Sequence, residues 1–199
     1  MKPLETKKYP QKILRRRCEI LKRIAEREKT LYDGVFMTAY KFRKPLIADA
    51  SAIAGLINHF AKKRIMLPRA MADVWERIRD FTICESKGRV IGCVALSVLW
   101  EDMVEIRSLA VIESAQKKGI GHKLVEYCLQ DARMLGVQRV LALTFKPDFF
   151  KRFGFRECEK ETLPRKVWKD CIYCPLFPKC GETALVLDLK TMPAKSRSR

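Results

Sequence analysis

At 199 residues the chain has room for one ordinary α/β domain with extensions, not for two full domains. No stretch of 18 uncharged apolar residues occurs, and "MKPLETKKYPQK" lacks the apolar core of a secretory signal, so a soluble, cytoplasmic protein is expected. The net charge of +18 is uneven: residues 1–44 carry +9, 45–189 only +5 and 190–199 +4, so the excess sits at the ends and not on the central domain.

A basic end segment can serve as an arm for nucleic acid, an acidic membrane or a partner, but a solvated helix and a frayed tail explain it more simply, and nucleic acid is not expected. From Gln11 to Leu31 the spacing of Ile13, Leu14, Cys18, Ile20, Leu21, Ile24 and Ala25 reads as one apolar helix face. That face needs cover, and a second subunit in a homodimer would supply it. Residues 1–36 are therefore read as a basic helical extension, 37–190 as the folded domain, and 191–199 as a disordered basic tail.

Within the domain "DGVFMTAYKFRKPLI" reads as a turn and a strand, and "ADASAIAGLINHFAKK" as a helix capped by Asp49 or Ser51. "RAMADVWERIRDF" is a second helix. Three strands follow, "FTICE", "RVIGCVALSVLW" and "MVEIRSLAV", the first two joined by the hairpin loop "SKG". "GIGHKLVEYCLQDARMLG" is a helix ended by Gly136, and "RVLALTF" has the continuous apolar run of a buried parallel strand. "PDFFKRFG" is a short helix opened by Pro147, "FRECEKE" a strand, and "TALVLDL" the last strand. A Cys- and Pro-rich insertion over 163–182 separates those two strands.

The eight cysteines are scattered, and Cys84, Cys93 and Cys128 fall inside apolar periodic segments, so a secreted disulfide framework is not expected. Cys171, Cys174 and Cys180, with Cys158, are read as a packed, reduced loop and no metal is assigned. A thiolate zinc site is the alternative, because C-x-x-C spacing suits tetrahedral coordination.

"QKKGIGHKL" sets two glycines and two lysines at the start of a helix, just after a strand. The first N–H groups of a helix have no intrahelical partner, and the helix dipole makes that end positive. Glycine lets an anion approach the backbone, and a diphosphate is a natural ligand. The P-loop pattern G-x-x-x-x-G-K-[S/T] is missing.

Gln116, Lys117, Lys118, Gly119, Ile120 and Gly121, with the preceding "RSLAV", the later "FFKRFGF" and the order of elements over residues 38–189, resemble the Gcn5-related N-acetyltransferase (GNAT) family. The resemblance implies an α/β fold with a central mixed, twisted sheet of about seven strands flanked by helices, and acetyl-CoA as cosubstrate. It further implies that the pyrophosphate sits on the backbone of Gln116, Lys117, Lys118, Gly119, Ile120, Gly121 and His122. The pantetheine arm would pair like an added strand with Leu109, Ala110 and Val111, splayed by a bulge.

An alkyl amine is mostly protonated near pH 7, so acetyl transfer needs a base. Glu105 holds the spacing of the base in the histone-acetylating branch of the family; the alternative is an exposed glutamate at a strand start. Phe150 stands where many members carry a proton-donating tyrosine, and Tyr173 is an outside candidate for that role. His59 and His122 read as structural or phosphate-adjacent.

"RIMLPRA", "VEIRSLAV" and "LPRKVWKDCIYCPLFPKCGETAL" are similar to the N-acetylglutamate synthases that lack a kinase domain, which implies transfer to the α-amine of L-glutamate, the opening step of arginine biosynthesis. Gly181 departs from the acidic residue usual there. A dicarboxylic acceptor calls for at least two cations, and Arg69, Arg107 and Lys146 are expected to supply them. Two rival readings stay open: a GNAT enzyme acting on another amine, or a non-catalytic acetyl-CoA sensor with a basic binding arm.

Overall fold

The structure, a computed structural model, describes residues 40–163 and 180–191. The N-terminal helix expected before residue 37, Tyr173, Cys171, Cys174 and most of the Cys-rich insertion, and all but the first residue of the C-terminal tail, lie outside them.

Seven strands form one mixed sheet in the order β1-β2-β3-β4-β5-β7-β6. Their spans are β1 Lys41–Arg43, β2 Phe81–Ser86, β3 Arg89–Trp100, β4 Met103–Val111, β5 Arg139–Thr144, β6 Arg156–Glu157 and β7 Thr183–Asp188. Every neighbouring pair is antiparallel except β4 and β5, which run parallel. The helices are α1 Ala50–Lys62, α2 Met71–Glu76, α3 Ile120–Met134 and α4 Pro147–Lys151. The expected order of elements and the mixed sheet are both present.

Side-chain alternation along β3 divides the helices between two layers. Cys93 and Ala95 pack with Ile53, Ile57 and Phe60 of α1 and Val74 of α2. Gly92 faces the other way, and a Cβ there would come within 3.2 Å of Leu124 and 3.3 Å of Ile120, so α3 approaches β3 as closely as a bare backbone permits. α3 buries Leu124, Val125, Cys128, Leu129 and Ala132 at helical spacing, and Gly136, at φ +74°, ends it as expected. A second buried cluster of Leu99, Met103, Leu141, Leu163 and Ala184 covers the β4–β5–β7 part of the sheet.

Local chemistry departs from expectation at three places. Asp49 does not cap α1; its carboxylate accepts the Leu46 N–H at 2.7 Å and the Arg43 guanidinium at 2.6 and 3.0 Å, closing the 3-10 turn Ile47–Asp49 that precedes the helix. Arg43 holds that carboxyl below the usual range. The second helix stops at Glu76 and finishes as a 3-10 turn over Ile78–Asp80. β6 is only two residues long at the sheet's edge. The "SKG" loop is tight, as expected: Lys87 and Gly88 both have positive φ, the geometry of a two-residue hairpin.

Candidate active site

The site begins with a fault in β4. Ala95 pairs with Arg107 and Cys93 with Ala110, so Ser108 and Leu109 together oppose the single residue Val94. This is the expected bulge. Ser108 carries φ +54°, rare for a residue with a Cβ, and its carbonyl accepts the Cys93 thiol at 3.6 Å. The bulge bends β4 away from β5. Their ladder ends at Ile106 and Ala142, while β4 continues along β3 to Val111 and β5 continues along β7 to Thr144. The backbone of 107–111 thus turns one edge to a wedge-shaped opening, a geometry suited to pairing with an extended ligand.

Beyond Val111 the chain makes a 3-10 turn, Glu113–Ala115, and enters α3 through Lys117 at φ +59° and Gly119 at φ +80°. The Gln116 side-chain amide donates to the Val111 carbonyl at 2.9 Å and its backbone N–H to Glu113 at 3.2 Å. Gln116 therefore shapes the turn by tying it to the end of the strand. Nothing lies within 4 Å of the place a Gly119 Cβ would take, so glycine is required there by conformation and not by crowding. At Gly121 a Cβ would meet Phe149 of α4 at 3.7 Å and Val111 at 3.9 Å, ordinary contacts that an alanine would satisfy. Lys117 and Lys118 are exposed. The His122 ring stacks on Phe153, centroids 4.4 Å apart, and its Nε2 lies 3.7 Å from Glu126.

Glu113, the acidic residue nearest this turn, is neutralised. Lys63 and His59, from the end of α1, both donate to its Oε1, the latter at 2.8 Å, and they pull its carboxyl down to about 2. His59 thus pairs with the turn at the surface. A bare helix start with two exposed lysines and a locally paired carboxylate fits a diphosphate.

On the α1 side of the sheet a cleft of about 130 Å³ opens between the two buried clusters, with Met66 on one wall and Leu143 on the other. Arg69, Glu105, Arg107, Thr144 and Glu182 bring the polar chemistry. Glu105 sits between Ser97 of β3 and Leu141 of β5 and is only 8% exposed, which removes the reading of a solvated strand-start glutamate. Its Oε2 lies 3.6 Å from Nη1 of Arg107. The bulge begins one residue later, so Arg107 keeps the face of Glu105.

Arg69 reaches the cleft from the segment between α1 and α2. Asn58 clasps its backbone: the side-chain amide donates to the Arg69 carbonyl at 2.9 Å, and the Arg69 N–H donates to Asn58 Oδ1 at 2.9 Å. Lys146 is a correction. The chain leaves β5 at Phe145 and enters α4 at Pro147, which puts Lys146 at the exposed N-cap position, its N–H on Thr144 Oγ1, outside the walls of the cleft. Phe150 is 5% exposed and packs edge-on against Phe149 and Phe155, so it has neither a hydroxyl nor access to solvent.

Two site residues carry little signal in the sequence. Asn58 is a poor helix former inside an otherwise apolar helix, a hint that its side chain has a partner. Glu182 is adjacent to the last strand in sequence and joins the cleft only through the pairing of β7 with β5. Burial pushes its carboxyl above the ordinary range against the opposing pull of the Cys180 thiol, 3.6 Å away, and Lys160. Cys158 and Cys180 are free thiols, and among the described residues no group of three or more metal-capable side chains converges.

The model of the acetyltransferase (GNAT) family matches residues 57–155, from α1 through the end of the "FFKRFGF" segment. An uncharacterized N-acetyltransferase of Chlorobaculum tepidum is 44% identical over 147 residues, 74% of this chain and 95% of the relative. This chain belongs to the GNAT acetyltransferase family. A Mycobacterium tuberculosis amino-acid acetyltransferase is 39% identical over 131 residues, 64% of this chain and 75% of the relative. Among solved structures, N-acetylglutamate synthase of Neisseria gonorrhoeae, complexed with coenzyme A and N-acetyl-glutamate, superposes with a TM-score of 0.69 at 30% identity, covering 75% of this chain but only 35% of that one.

The chain is accordingly an acetyl-CoA-dependent N-acetyltransferase of this family. Asn58 fixes the backbone of Arg69, so a role for Arg69 in binding the acceptor would depend on it. Asn58→Ala removes both hydrogen bonds, each worth about 1 kcal/mol net, and should raise the acceptor KM by about five- to tenfold while leaving the KM for acetyl-CoA unchanged. Steady-state kinetics with each substrate varied in turn would check this.

Proposed function

We propose that this GNAT enzyme acetylates the α-amine of L-glutamate, giving N-acetylglutamate as in the first step of arginine biosynthesis. The observation that carries the reading is the single cleft in which a buried carboxylate, Glu105, stands beside two arginines at the opened edge of β4. Acetyl-CoA supplies an acetyl thioester, whose carbonyl carbon is the electrophile.

The residues of the chain divide the work between them. The amides from Lys117 to His122 hold the diphosphate, assisted by the charge of Lys117 and Lys118, on a turn that Gln116 ties to the end of β4. The edge from Leu109 to Val111 aligns the extended arm so that the thioester lies at the apex of the wedge. Arg69 and Arg107 orient the carboxylates of the acceptor by charge-assisted hydrogen bonds. Glu105 takes a proton from the acceptor ammonium, freeing the nitrogen lone pair to form the new N–C bond as the C–S bond breaks. The nitrogen sheds a second proton as the C–S bond breaks, and water relays it to the departing thiolate, whose pKa is near the 8.5 of a free thiol, because Phe150 has none to give; Glu105 then returns its own proton to solvent. No residue forms a covalent link to the acetyl group.

Among the described residues no helix is long and apolar enough to cross a membrane. The five described cysteines are free thiols, which supports a reducing, cytoplasmic setting.

The test is release of CoA thiol by purified protein across L-glutamate, L-glutamine, L-aspartate, L-lysine and spermidine. Turnover should be greatest with the dicarboxylic and amide amino acids and weakest with spermidine, whose charge repels the arginines. Preference for lysine or spermidine, or release with none, would overturn the assignment.

A further inference from the structure

The cleft contains one charged group that the reaction leaves unused. Glu182 immediately precedes β7, where Thr183 pairs with Thr144, Ala184 with Leu143 and Val186 with Leu141, and Leu141 in turn pairs with Glu105. Alternation therefore sets Glu182, Ala184 and Val186 on the face of the sheet that carries Glu105. Four residues of β7 separate Glu182 from the Glu105 row, about 13 Å along the sheet at 3.3 Å per residue. Both residues line the cleft, and an acceptor whose amine lies at Glu105 turns its far end toward the Glu182 side.

The charges of the cleft follow from this placement. Arg69 and Arg107 bring two positive charges, and Glu105 and Glu182 two negative ones. A monocarboxylic amino acid enters as a zwitterion and keeps that balance, whereas a dicarboxylic one adds a negative charge close to Glu182. The Glu182 carboxylate is poorly solvated, which raises its pKa, and it is oriented by the Cys180 thiol through Oε2. Lys160, the nearby cation, donates its Nζ hydrogen bond to the Cys180 carbonyl at 3.0 Å, so its charge is only partly turned to Glu182.

We propose that Glu182 is a specificity residue of the acceptor site, its carboxylate opposing an acceptor with an anionic distal end and favouring one whose distal end donates a hydrogen bond. The inference rests on the amino-acid reading above and refines it: L-glutamate is still an acceptor through Arg69 and Arg107, and Glu182 tempers its advantage over L-glutamine. L-glutamate and L-glutamine are nearly isosteric probes of this group, differing at the distal end in charge and hydrogen-bonding character.

The experiment compares wild type and Glu182→Gln with both amino acids at saturating acetyl-CoA. Removing the charge should raise kcat/KM for glutamate relative to glutamine by about tenfold, the scale of one partly screened like-charge contact, and the change should lie in the acceptor KM with kcat little moved. Glu182→Ala should shift the ratio the same way, and melting temperatures of both variants would establish that they fold. An unchanged ratio, or an equal loss with both acceptors, overturns the proposal, the latter by showing that Glu182 holds a part common to both. A wild type that turns over neither amino acid overturns the amino-acid reading and this inference together; one that turns over both with a ratio indifferent to Glu182 overturns only the inference.

Discussion

Glu105→Gln should lower kcat by about two to three orders of magnitude, the usual worth of a positioned general base, while leaving the affinity for acetyl-CoA close to wild type. The separation of effects follows from geometry. Glu105 lies on the stretch of β4 still paired with β5, whereas the edge proposed to take the thioester arm begins at Leu109 and the proposed diphosphate turn at Gln116. Gln is isosteric and keeps an oxygen facing Arg107, so the fold should persist, and only the capacity to take a proton from an ammonium is lost. Single-turnover CoA release measures the first effect and titration calorimetry with acetyl-CoA the second. Retained turnover would remove Glu105 from the chemistry and leave the arginines without a base between them.

Much of this layout is readable from the sequence because the signals are local. Helical spacing, strand runs and the Gly119–Gly121 pair each depend on a few neighbouring residues, and the elements they predict within the described residues are present. Where a side chain is claimed by a distant partner, the local reading fails. Asp49 has the chemistry of an N-cap for α1, but Arg43, delivered by β1, holds its carboxylate on the turn before the helix. Lys146 is close in sequence to the end of β5, yet the abrupt entry into α4 at Pro147 carries it past the cleft. Asn58 and Gly92 act through partners 11 to 32 residues away, and Glu182 reaches the cleft only where β7 pairs with β5, so their places depend on how α1, α3 and β7 meet the sheet. The bulge was legible only through family resemblance. Nothing in "RSLAV" itself requires Ser108 to adopt φ +54°; the register across to Cys93 and Ala95 does.

Gly119→Val isolates the other half of the site. Gly119 is at φ +80° with open space around its Cα, so the substitution meets no steric wall and acts through the backbone alone. A β-branched residue in the left-handed region costs about 1–3 kcal/mol, and the chain can relieve that strain by rotating the peptide units of the turn. Rotation would swing the amides at the start of α3 away from the diphosphate, so the KM for acetyl-CoA should rise by about 10- to 100-fold, with kcat at saturation much less affected because Glu105, Arg69 and Arg107 stay in place. If the strain is retained instead, it should appear as a drop in melting temperature of about 2–4 °C per kcal/mol for a domain of this size. Gly121→Ala is the matched control: its Cβ finds ordinary contacts with Phe149 and Val111 and needs no positive φ, so both kinetic constants should stay within about twofold of wild type. A Gly119→Val enzyme that binds acetyl-CoA as tightly as the parent would show that the diphosphate is held by side chains, Lys117 and Lys118 first among them, and the lysine variants would then be expected to show the loss predicted here for the glycine.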